Sequence, residues 1–523
     1  MGQGVIVVGA GLAGMMAAIA ASDEGGEVVL IDRGSVGLGT NTAMSNAVFT
    51  GVSASYGAEE YIRETMEIGR FLNRRFKVEI VAEKSPEAVA GLKALGVPIN
   101  PAGNLYQVTS PNPRVVSGVT MVKQVAAALQ SRPNIHVVRN FYVTGIMKED
   151  GAATGIEGID EAGRRVIYGA DAVVLATGGA GAIYLRNDNQ KGIMGQGYCL
   201  AAMAGLSLLD MEFVQFFPLV VAGEGLAASI VYPPMHEAIR LVNSAGEDLA
   251  VKYNMGSLSE AVMRKRDELS IDLYRETEKG TVFLDYRKVP DEAWNVHPLS
   301  LLRLIKHDFK AKPLPVSPAV HFMMGGVRTD GSCRTDLSGL FACGEVTWGL
   351  HGANRRGGNA LMECAVFGTL AGRNAAQFKS SDPKGIASDI EGPWEDRTAG
   401  TKTGHKTLVQ IKDEIRRTAW IHAGVIRSAD GLKKGLDASF LIGRELEGIV
   451  PENRREVCVK ADLTAAVLTL KAVITASLGR QESRGSFYRD DFPREDDVNW
   501  RKNSSLTYDS ATGSFAADYV PVN

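Results

Sequence analysis

Cysteine is scarce in this 523-residue chain. The five present, Cys199, Cys333, Cys343, Cys364 and Cys458, include no CxxC pair. An odd, scattered set excludes a disulfide framework and gives no metal-cluster spacing; it suits reduced thiols in a cytoplasmic protein. No metal site is expected. No uninterrupted apolar run reaches about 18 residues, so no membrane-spanning helix is expected. The sequence enters a strand pattern at once, without the basic and then apolar segments of a signal peptide. An excess of one charge is also lacking: 57 basic residues face 60 acidic ones, net −3. Composition therefore gives no reason to expect nucleic acid or anionic lipid as a partner. Internal repeats and low-complexity tracts are absent. Glycine, by contrast, is abundant, at 58 residues, above the usual share of about 7%. With only 19 prolines, that excess points to tight turns and close approaches of backbone to ligand. A hydrophobic content of 45% with 22% charged residues supplies a large core and excludes a disordered chain.

Residues 4–8 (GVIVV) form the short apolar run of a buried parallel strand. A glycine turn, Gly9-Ala10-Gly11-Leu12-Ala13-Gly14, leads into a good helix former at 15–21, and Val28-Val29-Leu30-Ile31 ends at Asp32. Strand, turn, helix, strand and acid make one βαβ unit, the context in which GxGxxG becomes informative. Gly9 makes the turn, Gly11 admits a pyrophosphate to the helix N-terminus, and Gly14 lets helix and strand pack. Asp32 is suited to accept from ribose hydroxyls. Arg33 beside it could meet a 2′-phosphate, though a solvated charge is the plainer reading. Another buried strand, 172–176, closes on Thr177-Gly178-Gly179. Helical periodicity marks 258–278, 298–309, about 359–377 and a bundle over 406–479; 379–405 reads as a linker, and the end from Gly485 as charged and irregular.

Several segments in order then resemble the flavoprotein subunits of succinate dehydrogenase and fumarate reductase, and L-aspartate oxidase. They are the 9–14 turn, Ala176-Thr177-Gly178-Gly179, MEFVQF at 211–216, HFMMGG at 321–326, Gly344-Glu345, HGANRRGGNAL at 351–361, and ESRG at 482–485 with YRDDFP at 488–493. The resemblance spans nearly the whole chain. It implies an α/β fold: a Rossmann-type FAD-binding domain (1–205 and 311–380), an inserted α+β capping domain (206–310), a C-terminal helical domain (405–500) and a tail (501–523). It implies FAD, held by Gly9, Ala10, Gly11, Gly14, Asp32, Arg33, Ala176, Thr177 and Gly178. By the same resemblance Thr40, Asn41 and Thr42 lie near the flavin and Glu345 at the ribityl chain. Asn359, Ala360 and Leu361 open a helix toward the pyrimidine side, where a helix N-terminus stabilises reduced flavin. His321 and Arg355 match the residues that hold a substrate carboxylate.

Four departures narrow the function that the resemblance implies. Asn41 stands where succinate-oxidising members link FAD through a histidine, so FAD is expected to be non-covalent. The family's Gln-Phe-His-Pro-Thr reads Gln215-Phe216-Phe217-Pro218-Leu219, losing two donors for a dicarboxylate. Counting back from Leu241-Val242-Asn243 puts Met235 at the proton-shuttling arginine, leaving Arg240 or His236 to move the proton. Phe487 replaces the histidine after Ser-Arg-Gly. The expected function is hydride transfer between flavin and a C–C or C=C bond of a small carboxylate-like substrate other than fumarate or succinate. L-aspartate oxidase, and a flavoprotein relaying electrons to a separate iron–sulfur protein, are the alternatives.

Overall fold

The computed structural model describes residues 3–112, 114–296, 298–303, 305–380, 385–394 and 406–522. At its centre the apolar run Gly4–Val8 (β1) pairs in parallel with Glu27–Ile31 (β2) on one side and Ala172–Leu175 on the other. Ile135–Val138 and Leu340–Ala342 complete a five-stranded parallel sheet. Every residue of β1 and of Ala172–Leu175 is buried, as continuous apolar strands covered on both faces must be. Leu12–Asp23 (α1) and the helix Asn359–Ala376 cover one face, packed around Val5, Val7, Met16 and Val366.

The inserted cap is an antiparallel sheet of Val214–Val221, Leu314–Met323, Val282–Asp285 and Arg240–Asn243, in that order. Its own core joins Phe217 and Leu219 to Leu258, Leu273, Trp294 and Val316. The strand Leu314–Met323 lies beyond the boundary expected at 310, because its pairing partner Val214–Val221 is about a hundred residues earlier and invisible to local pattern. Helices Leu258–Arg264 and Arg266–Thr277 occupy the periodic stretch at 258–278. Among the described residues near 298–309, only the four-residue turn Leu299–Leu302 is helical.

Three helices, Leu408–Ala423, Ala429–Glu447 and Arg454–Gly479, form the expected C-terminal bundle. Two further regions differ from the sequence reading. Residues 387–393 of the linker form a strand paired with Arg164–Gly169, while most of the rest of 379–405 lies outside the described residues, as do His297 and His405, expected as surface or packing histidines. The tail is a hairpin, Lys502–Asp509 with Ser514–Pro521, whose first strand also pairs with Leu208–Leu209. A buried network ties it down: Arg480 binds Glu212 and Glu482, and Asn503 donates to Asp210. No helix among the described residues is long and apolar enough to cross a membrane.

Candidate active site

A cleft of about 1050 Å³, its open mouth included, begins where β1 ends. The three glycines of the turn perform separable tasks. Gly9 takes φ +103°, and a Cβ there would meet the Ala176 carbonyl oxygen at 2.4 Å. A Cβ on Gly14 would lie 1.8 Å from the Gly9 oxygen, so only glycine lets α1 pack this close to the turn. A Cβ on Gly11 would meet nothing nearer than Thr42 Oγ1 at 3.6 Å. Gly11 therefore leaves space beside the positive end of α1, the cradle a pyrophosphate needs.

Asp32 ends β2 with both carboxylate oxygens engaged: Oδ2 accepts from the Ala10 N–H at 2.8 Å and Oδ1 from the Gly34 N–H at 2.7 Å. Each oxygen keeps a second lone pair for a ribose hydroxyl. Arg33 is not a solvated charge. It lines the cleft and ion-pairs with Asp462 on the helix Arg454–Gly479 at 2.7 Å, locking the bundle onto the nucleotide domain. Thr40 caps the turn Asn41–Met44, and Thr42 Oγ1 accepts from the Leu12 N–H at 3.3 Å. Ala176, Thr177 and Gly178 line the cleft, and the Thr177 hydroxyl is buried with no protein partner. Glu345 reaches the same cleft across Gly179, where any Cβ would strike its carboxylate; burial pushes its carboxyl up to about 7, and Oε1 accepts from the Met323 N–H. Asn359 opens the helix Asn359–Ala376 with its Oδ1 buried and unpartnered, followed by half-buried Ala360 and buried Leu361. An open helix N-terminus, a glycine cradle and the buried Thr177 hydroxyl, unpartnered among the described residues, together fit a flavin dinucleotide, while Asn359, Ala360 and Leu361 are not among the residues lining this cleft.

Both ends of the Asn41 amide are engaged within the protein: Nδ2 donates to Asn189 and Oδ1 accepts from the Gln190 N–H. An amide is no nucleophile for a flavin methyl group, so acid precipitation is expected to release yellow cofactor into the supernatant. Flavin left in the pellet would refute non-covalent attachment.

Arg355 is the buried cation of the substrate side. Its Nε donates to Gln215 Oε1 at 3.0 Å, while Gln215 Nε2 returns a bond to the Arg355 carbonyl at 3.1 Å, and the guanidinium lies over the Phe322 ring at 4.7 Å. Among the described residues no carboxylate pairs with its terminal nitrogens. Burial, reinforced by neighbouring Arg266, pulls the guanidinium down to about 10. That environment favours an arriving anion and presents a fork shaped for a carboxylate.

Arg266 is the cap cation that sequence reasoning missed. From the start of the helix Arg266–Thr277 it donates to the Asn354 side chain at 2.9 Å and to the Arg355 carbonyl at 3.0 Å. Arg240 and His236, expected to move the proton, are not brought to Arg355. Arg240 alternates with buried Leu241 on its strand, so it faces outward and pairs with Asp248, 48% exposed. His236 Nδ1 accepts from the Ala238 N–H in a local turn. His321 does face the cap: its ring lies 6.0 Å from that of Phe217, which stacks on Tyr232 at 6.2 Å. Leu219 is wholly buried in the cap core instead. His351 is buried against Glu363.

A glycine-cradled nucleotide cleft at the end of β1, with the buried Arg355 guanidinium abutted by Arg266 of the cap, is the arrangement of an FAD-dependent oxidoreductase. Residues 4–361 match the FAD binding domain family, and residues 412–523 the C-terminal domain of fumarate reductase flavoproteins. The chain belongs to the fumarate reductase and L-aspartate oxidase flavoprotein family. It is 31% identical to a subunit of the CoM/CoB fumarate reductase of Methanothermobacter marburgensis, covering 96% of each chain. It is 30% identical to the L-aspartate oxidase of Agrobacterium fabrum, over 96% of this chain and 93% of that one. The flavoprotein chain of Escherichia coli quinol fumarate reductase superposes with a TM-score of 0.86 at 25% identity, covering 99% and 96%.

Proposed function

We propose that this FAD-dependent oxidoreductase acts on a C–C or C=C bond of a small acid with one carboxylate and an apolar far end. The observation that carries this reading is Phe217. Its apolar ring lies edge-on to His321 at 6.0 Å, at the position where the family resemblance implies a histidine for a second carboxylate, and in this reading it walls the substrate pocket on the side away from Arg355. FAD, when bound, supplies the two-electron partner that exchanges a hydride with a substrate carbon. This chain's residues do the rest. The Arg355 fork takes the carboxylate, the Gln215 bonds hold that fork in place, and the Phe217–Tyr232 stack keeps water from the apolar end.

A dicarboxylate placed here leaves one charged group against Phe217. A missing hydrogen bond to a charged group costs about 1.5–3 kcal/mol, so the one donor lost at Phe217 weakens binding by roughly one to two powers of ten. The same deficit weighs against aspartate and hence against an L-aspartate oxidase. Phe217→His is the direct test: it restores one donor and is expected to raise fumarate affinity, read from flavin difference spectra, by about tenfold or more. Leu219→Thr is a poor companion, since it would bury a hydroxyl in the cap core. Unchanged fumarate affinity in Phe217→His would remove Phe217 from the pocket wall.

The five free cysteines suit a reducing compartment, which supports a cytoplasmic reading. Relatives named as subunits favour a second reading for the electrons' onward path, in which FAD exchanges them with a separate iron–sulfur protein. No group of three or more His, Cys, Asp or Glu side chains among the described residues is placed to hold a metal. Any such centre would belong to the partner.

A further inference from the structure

His321 projects from the strand Leu314–Met323 beside Phe217 of the cap, and its Nδ1 lies 2.8 Å from Asp188 Oδ2. Asp188 is itself held on both sides. Its N–H donates to the Val320 carbonyl at 3.2 Å, and its Oδ1 accepts from the Asn189 amide at 3.1 Å. The Asn189 oxygen in turn accepts from Asn41 at 2.6 Å. A chain of side-chain bonds thus runs from the flavin-side loop through Asn189 and Asp188 to the imidazole. The Asp188 side chain is 9% exposed, whereas that of His321 keeps 28%.

The chemistry of this contact constrains His321. A carboxylate only accepts, so Nδ1 carries the hydrogen, and the neutral ring presents a lone pair at Nε2. Among the described residues Nε2 has no partner. A lone pair repels a substrate carboxylate but accepts a proton, and a buried carboxylate behind the ring stabilises the imidazolium that results. Carboxylate binding and proton transfer therefore divide between Arg355 and His321.

We propose that His321 and Asp188 form an acid–base dyad: His321 moves the proton at the substrate carbon, and Asp188 is the positioning residue that fixes tautomer and orientation. The proposal rests on the monoacid reading of the same pocket. In the oxidative direction Nε2 takes a proton from the carbon next to the carboxylate while the neighbouring carbon yields its hydride to the bound FAD. The two C–H bonds break, the C=C bond forms, both electrons leave with the hydride, and the proton stays on His321. Reduction is the reverse.

The test has two arms on the holoenzyme. In the first, ¹⁵N-histidine labelling reports the tautomer of His321, its signals being those lost in His321→Gln. The wild type should show hydrogen on Nδ1. Asp188→Asn, whose amide can donate to Nδ1, should move it to Nε2; an unmoved tautomer would overturn the dyad. In the second, dithionite-reduced enzyme is mixed anaerobically with cinnamate and flavin reoxidation is followed. Asp188→Asn should slow it about 100-fold while cinnamate affinity stays within about threefold, and Asp188→Glu should recover part of the rate. A rate unchanged in Asp188→Asn would also overturn the dyad. Should cinnamate fail to reoxidise the wild type while the tautomer moves as expected, the substrate class falls and the dyad stands.

Discussion

Arg355→Gln is expected to abolish measurable turnover of any carboxylate substrate, with kcat/KM falling by about 10²–10⁴-fold. Two hydrogen bonds to a charged partner at about 1.5–3 kcal/mol each set that range. The loss should come with full flavin content. Arg355 does not line the nucleotide cleft, and its fold contacts, the Gln215 bond and the Phe322 face, are ones a glutamine side chain keeps in part. Arg355→Lys is the sharper variant. It preserves charge but replaces a planar fork with a point donor, so it should recover only a minor part of the activity. Near-normal kcat/KM in either variant would mean that another cation, with Arg266 the nearest, holds the substrate.

Gly14→Ala should be the most damaging small substitution in the chain, and Gly11→Ala its informative contrast. The added methyl at 14 would sit 1.8 Å from the Gly9 oxygen. Backbone cannot yield to that without separating α1 from the turn, so overpacking of about 3 kcal/mol is expected together with loss of FAD. At 11 the methyl meets only Thr42 Oγ1 and Thr40 Cγ2, both in ordinary contact. Gly11→Ala should therefore yield an apoprotein that melts like wild-type apoprotein yet retains little flavin, because the methyl occupies the phosphate space. Circular dichroism melts of both apoproteins, with flavin absorbance after gel filtration, separate the two effects. Equal melting of Gly14→Ala and wild type would refute the packing role.

The nucleotide half of this site is written in local sequence. Gly9, Gly11, Gly14 and Asp32 fall within one βαβ unit, where chain direction, turn geometry and helix dipole follow from neighbours a few residues away. The bundle helices were legible for the same reason, since an apolar stripe at helical period needs no distant partner. The cap was not. Its closing strand Leu314–Met323 pairs with a strand a hundred residues earlier, and counting back from Asn243 without gaps crossed the irregular 222–239 segment, where register carries no information. That count pointed to Arg240 and His236. Arg266 was found only once its helix was seen to abut the loop at 354–355. Arg33 looked solvated because Asp462 lies 429 positions away, and the Asp188–His321 contact spans 133. Arg266 lay inside the helical stretch read at 258–278, and nothing local connected it to Arg355.

The central claim is that this family member reads one carboxylate and an apolar end. Anaerobic mixing of the reduced, unmodified holoenzyme with fumarate and, separately, with cinnamate tests it most directly. Reoxidation of the flavin by cinnamate, with fumarate slower by about one to two powers of ten at equal concentration, is the predicted result. Brisk reoxidation by fumarate would contradict it and return the site to dicarboxylate chemistry.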